Sequence, residues 1–108
     1  MSEGYRARVR AQLKLALLSD CGCLKKLVGL EWEGRASGLT WAEIDAAFEG
    51  RSFEAQTATI LSFACAVKAG SPESMDQARR RALNFGVTEE ELAAVAEEAK
   101  KILASPAQ

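Results

Sequence analysis

The chain has 108 residues, 48% of them hydrophobic and 27% charged, with a formal net charge of -1 and no histidine. These figures describe one compact globular unit with enough apolar material for a core, and leave no room for a second domain. The missing histidine removes the usual general base, the commonest zinc ligand and every Ser/His or Cys/His catalytic pair.

Six helices are predicted in chain order. The first spans Gly4–Ser19, where Arg6, Arg8, Arg10 and Lys14 are interspersed with apolar residues. No apolar run there is long enough for a signal peptide or membrane span, so the chain is expected in the cytoplasm, with no membrane partner. The second helix, Cys23–Ala36, follows the corner Cys21-Gly22-Cys23. Gly29 and Gly34 inside it each cost about 1 kcal/mol against alanine, which predicts close approach of another helix there. The third, Trp41–Glu49, opens with Thr40-Trp-Ala-Glu43, a capping-box spacing. The fourth is Phe53–Ala69, and the fifth, Pro72–Phe85, starts with Ser71 as N-cap and proline at N1. The sixth, Glu89–Ala104, opens with a second capping box, Thr88 to Glu91. Glycines 22, 38, 50, 70 and 86 each close a helix-length apolar run. One-faced periodicity is read in Trp41/Ile44/Phe48, Met75/Ala78/Ala82/Phe85 and Leu92/Val95/Ala99/Ile102.

Shifting the sequence by 48 residues against itself superposes Ala7/Ala55, Leu13/Leu61, Ala16/Ala64, Gly22/Gly70, Gly38/Gly86, Thr40/Thr88, Glu43/Glu91, Ala46/Ala94 and Glu49/Glu97. Because the matches include helix stops and capping threonines, the expected fold is a three-helix unit used twice, over residues 5–50 and 53–104.

The shift also sets Cys23 over the N-cap Ser71. A thiol at a helix start faces free N–H groups and the positive end of the macrodipole, which favour thiolate, and Lys26 one turn on acts the same way. Cys21 is placed across the corner, where a link to Cys23 through one glycine is strained and easily reduced. The two cysteines are therefore either a transient redox pair or small hydrophobes packing a tight corner. Trp32 and Trp41 flank the second connection and are expected in the core of the first unit, with a subunit interface as the alternative.

The stretches CGCLKKLVGLEWEGRASGLTWAEIDAAFEG and FEAQTATILSFACAVKAGSPESMDQARRRALNFGVTEEEL resemble the carboxymuconolactone decarboxylase-like superfamily, including its alkylhydroperoxidase D (AhpD-like) branch, over residues 13–103. The resemblance implies an all-α, six-helix AhpD-like bundle, peroxidase-related chemistry, no cofactor and a homo-oligomer with sites near subunit interfaces. In that family one helix bears Cys-x-x-Cys-x-x-x-His, followed after a short spacer by Gly-[Leu/Ala]-Thr-x-x-Glu-Ile. Counting back from Gly38–Ile44, the first cysteine falls on Cys23, the second on Lys26 and the histidine on Leu30. Only the first is kept. The resembled peroxidases resolve a sulfenic acid with the second thiol and relay protons through the histidine, which lysine and leucine cannot do.

Two main expectations follow. One is an atypical thiol peroxidase or thiol–disulfide oxidoreductase, with Cys23 as the reactive thiol, Cys21 (less favourably Cys65) as its partner, Lys26 lowering the thiol pKa and Glu31 or Glu33 handling protons. The other is a non-catalytic module for small-molecule binding or assembly, its pocket lined by Leu27, Leu30 and Trp32. Peroxide or another small molecule would be the ligand. A nucleic-acid partner through Arg79-Arg80-Arg81 is the weakest reading, because the net charge is slightly negative and a solvated face accounts for the run. No metal spacing and no phosphate-binding loop is present. Charge is divided: residues 1–30 carry six basic and two acidic side chains, residues 31–60 two basic and six acidic, which points to self-complementary surfaces.

Overall fold

The computed structural model describes residues 3–20 and 24–104. Among them the chain forms six α-helices and no strand: α1 Glu3–Leu18, α2 Leu24–Ala36, α3 Trp41–Phe48, α4 Ala55–Ala69, α5 Pro72–Asn84 and α6 Glu89–Ala104. The ends fall where local chemistry stops or starts a helix. Thr40 accepts from the Glu43 N–H at 3.1 Å while Glu43 accepts from the Thr40 N–H at 2.8 Å. Thr88 and Glu91 repeat this exchange at 3.1 and 3.0 Å. Ser71 accepts from the Ser74 N–H, with Pro72 opening α5. Helix α4 begins at Ala55 rather than Phe53, since Glu54 holds the extended N-cap conformation.

The α2–α3 and α5–α6 turns are built alike. Gly38 and Gly86 have φ of 95° and 91°, a left-handed conformation that glycine adopts without a Cβ penalty. Leu39 N–H donates to the Gly34 carbonyl and Val87 N–H to the Ala82 carbonyl, both at 3.0 Å, closing a Schellman turn. Leu39 and Val87 are themselves buried, so each turn is pinned by an apolar side chain as well as by hydrogen bonds.

Helix α1 holds the packing together. One side of it, with Leu13, Ala16 and Leu17, joins a core with Leu61, Phe63 and Ala64 of α4, Ala78 and Ala82 of α5, and Leu92, Val95, Ala99 and Ile102 of α6. Its other side, with Ala11 and Leu15, joins a second core with Leu30 of α2, Leu39, and Ile44 and Ala47 of α3. Helix α4 packs on α1, α5 and α6, whereas α2 and α3 pack on α1 and on each other.

Three expectations about packing are corrected. Trp32 and Trp41 are outside the core, 66% and 50% exposed. Phe85 is exposed too, because it is the C-cap of α5 and not part of its buried face. Gly34 does meet another helix: an added Cβ would lie 3.2 Å from Ile44 Cγ1 and 3.3 Å from Leu39 Cδ1. Gly29 does not, since among the described residues nothing lies within 4 Å of its Cβ position.

Candidate functional site

The residues singled out by the sequence gather on α2 and its approach. Cys21 and Cys23 lie outside the described residues. Helix α2 begins at the residue after Cys23, so Lys26 falls in its first turn, where it is half-buried. Leu27 is half-buried against the second core, and Leu30 is buried within it, 7% exposed, among Ala11, Leu15, Leu39, Ile44 and Ala47. The position of the resembled family's histidine is therefore filled by packed hydrocarbon. Glu31 is half-buried on the same helix. Glu33, the other acid considered for proton handling, is held by Lys14 at 2.7 Å, an ion pair that ties α1 to α2.

Trp32 does not line a pocket with Leu27 and Leu30. Two residues along a helix turn the side chain by about 200°, so Trp32 points away from the face that buries Leu30. It meets Trp41 instead, edge to face, with ring centroids 6.4 Å apart and an interplanar angle of 73°. The Arg35 guanidinium lies 5.1 Å from the Trp41 ring centroid, and its Nη1 donates to the Leu39 carbonyl at 3.1 Å. Cation–π attraction and this hydrogen bond together fix the orientation of the exposed indole.

Cys65 lies on α4. It is half-buried beside the α1/α4/α5/α6 core, and burial pushes its pKa above the ordinary value, an effect the nearby Lys68 ammonium opposes but does not reverse. Two arginines of the run are engaged inside the chain: Arg79 binds Glu89 through two nitrogens, and Arg80 pairs with Asp76 at 2.9 Å. Among the described residues no group of three or more Cys, Asp and Glu could hold a metal ion, and no helix is long and apolar enough to cross a membrane.

What the sequence reading missed is the outer face of α2. Leu24, Val28 and Trp32, spaced i, i+4, i+8, are 75%, 39% and 66% exposed, and Trp41 extends the patch at the far end. The signal was present in the sequence, because apolar residues at 24, 27, 28, 30 and 32 cover more of α2 than one buried face can use. Neither a family model, nor a curated protein, nor a solved structure matches this chain.

Proposed function

We propose that this chain is an alkylhydroperoxidase D-like helical scaffold, built from two three-helix repeats, that serves binding or assembly and not peroxide reduction. The observation that carries the reading is Leu30: where the resembled peroxidases relay protons, the side chain is apolar and sealed in the core of α1, α2 and α3. The matched Gly38 and Gly86 turns, 48 residues apart and each followed by a threonine capping box, support the repeat. The six-helix order supports the fold assignment. The exposed apolar patch on α2 supports assembly, since large contiguous apolar surface marks interaction sites.

One observation favours a second reading, thiol–disulfide chemistry at Cys23 with Cys21. Lys26 is half-buried in the first turn of α2, where its charge would stabilise a thiolate at the residue preceding that helix. The two readings separate in a peroxide-consumption assay with excess dithiol, on the wild-type chain and on Cys23→Ser and Cys21→Ser. The expected result is the same slow background rate in all three. Turnover by the wild type that Cys23→Ser abolishes would reject the assembly reading. Residue-resolved alkylation at neutral pH adds an independent check: slow labelling of every cysteine until unfolding is expected, and rapid labelling of Cys23 would support the redox reading.

A further inference from the structure

We propose that the outer face of α2 is where two copies of this chain pair, with their α2 helices running in the same direction across a two-fold axis. The proposal rests on the assembly reading above and names its partner. Leu24, Val28 and Trp32 form a single i±4 ridge exposed along the helix. Such ridges are inclined about −26° to the helix axis, so two of them align when the helices cross at about −50°. With the axis parallel to the ridges and beside them, the Leu24–Val28–Trp32 ridge of one copy lies in the groove next to the same ridge of the other.

Charge selects the direction. On a helix with about 100° per residue, Lys25 lies about 60° to one side of Val28 and Glu31 about 60° to the other. At the −50° crossing, the parallel arrangement brings Lys25 of each copy beside Glu31 of the other. Reversing one helix about the same contact would set Lys25 against Lys25 and Glu31 against Glu31. Among the described residues neither Lys25 nor Glu31 is engaged in an ion pair, so both are free to make this one.

The surface has the composition of an interface: exposed aliphatic residues and tryptophans along the ridge, charges at its edges. Trp32 and Trp41 are 66% and 50% exposed. Four such indoles across the pair bring on the order of 400 Å² to the roughly 1,200–2,000 Å² that a stable pair buries. Leu24, Val28 and the charged rim supply more.

The test is sedimentation equilibrium of the full chain over a wide concentration range, with circular dichroism to establish that each variant is folded. The wild type is expected to reach twice the 11.6 kDa chain mass, and Val28→Glu to remain monomeric. Lys25→Glu alone and Glu31→Lys alone should each weaken pairing by about tenfold, and the double exchange should recover it. A monomer at every concentration would overturn the proposal, as would a dimer indifferent to Val28→Glu. A double exchange weaker than either single variant would overturn the parallel arrangement. Peroxide turnover dependent on Cys23 would remove the assembly reading while leaving a measured pair intact. Monomeric behaviour with no such turnover would remove the pair alone.

Discussion

Arg8 and Gln56, 48 positions apart, make comparable tertiary hydrogen bonds, each to a carbonyl at the end of the helix that follows. Arg8 Nη1 donates to the Gly38 carbonyl and Gln56 Nε2 to the Phe85 carbonyl, each at 2.7 Å, so α1 and α4 both grip the turn that ends the helix following them. Arg8 also holds Glu43 at 2.7 Å, which links α1 to the capping box of α3. Arg8→Ala should therefore cost about 1–2 kcal/mol, and Gln56→Ala, which loses one neutral and exposed bond, under about 1 kcal/mol. Urea denaturation of the two variants against the wild type measures both.

Stability should fall in acid partly through Glu43. Its pKa is held below the ordinary carboxylate value, mainly by the Thr40 N–H and further by the Arg8 guanidinium, against the opposing effect of burial. A folded-state pKa below the unfolded one means that the unfolded chain binds the proton first. The stabilisation is complete above the unfolded value, near pH 4.3, and is lost as pH falls through the lower folded value. Glu43→Gln should lower stability at neutral pH and flatten the acid limb of a plot of denaturation midpoint against pH. An acid limb as steep as that of the wild type would contradict this.

The two glycines of α2 should respond in opposite directions to alanine. At Gly34 the new Cβ meets Ile44 and Leu39, both fully buried and without room to yield, so Gly34→Ala should destabilise by about 1–2 kcal/mol despite its better helix propensity. Gly29→Ala meets nothing among the described residues and should stabilise the single chain by about 0.5–1 kcal/mol. Thermal melts at high dilution, where pairing does not contribute, give both values.

Thr57 offers a stabilising change. Its hydroxyl is fully buried in the first turn of α4 and is without a hydrogen-bond partner among the described residues. A desolvated, unpaired hydroxyl is a net cost, so Thr57→Val, which keeps the shape and removes the polarity, should be neutral or stabilising by up to about 1 kcal/mol. A loss of more than that amount in a denaturant titration would mean that the hydroxyl is satisfied in solution.

The helix ends were legible because they are set by local chemistry. Gly38, Gly70 and Gly86 stop helices through left-handed backbone, and Thr40, Ser71 and Thr88 start them through side-chain oxygens, with no need of the rest of the fold. Which face of a helix is buried was legible only where apolar residues keep to one side, as in Leu92, Val95, Ala99 and Ile102 of α6. Helix α2 carries apolar residues on two sides, and periodicity does not rank them: α1 and α3 claim Leu27, Leu30 and Gly34, leaving Leu24, Val28 and Trp32 outside. Trp41 was misread for a related reason. As the first residue of α3 it projects from the end of the helix beside Trp32 and Arg35, while Ile44 turns inward. Of the candidate site, the departure of Lys26 and Leu30 from the resembled motif was visible directly, and the burial of Leu30 and the raised thiol of Cys65 required tertiary contacts.

Because the two tryptophans of the chain lie on α2 and α3, its indole fluorescence reports on one half of the molecule only. Far-ultraviolet ellipticity is contributed by all six helices. The single element common to both cores is α1, so melting curves recorded by the two signals compare the halves directly. Superimposable curves would mean that α1 enforces one all-or-none transition, and fluorescence that changes first would mean that the α2–α3 side opens while the α4–α6 side persists.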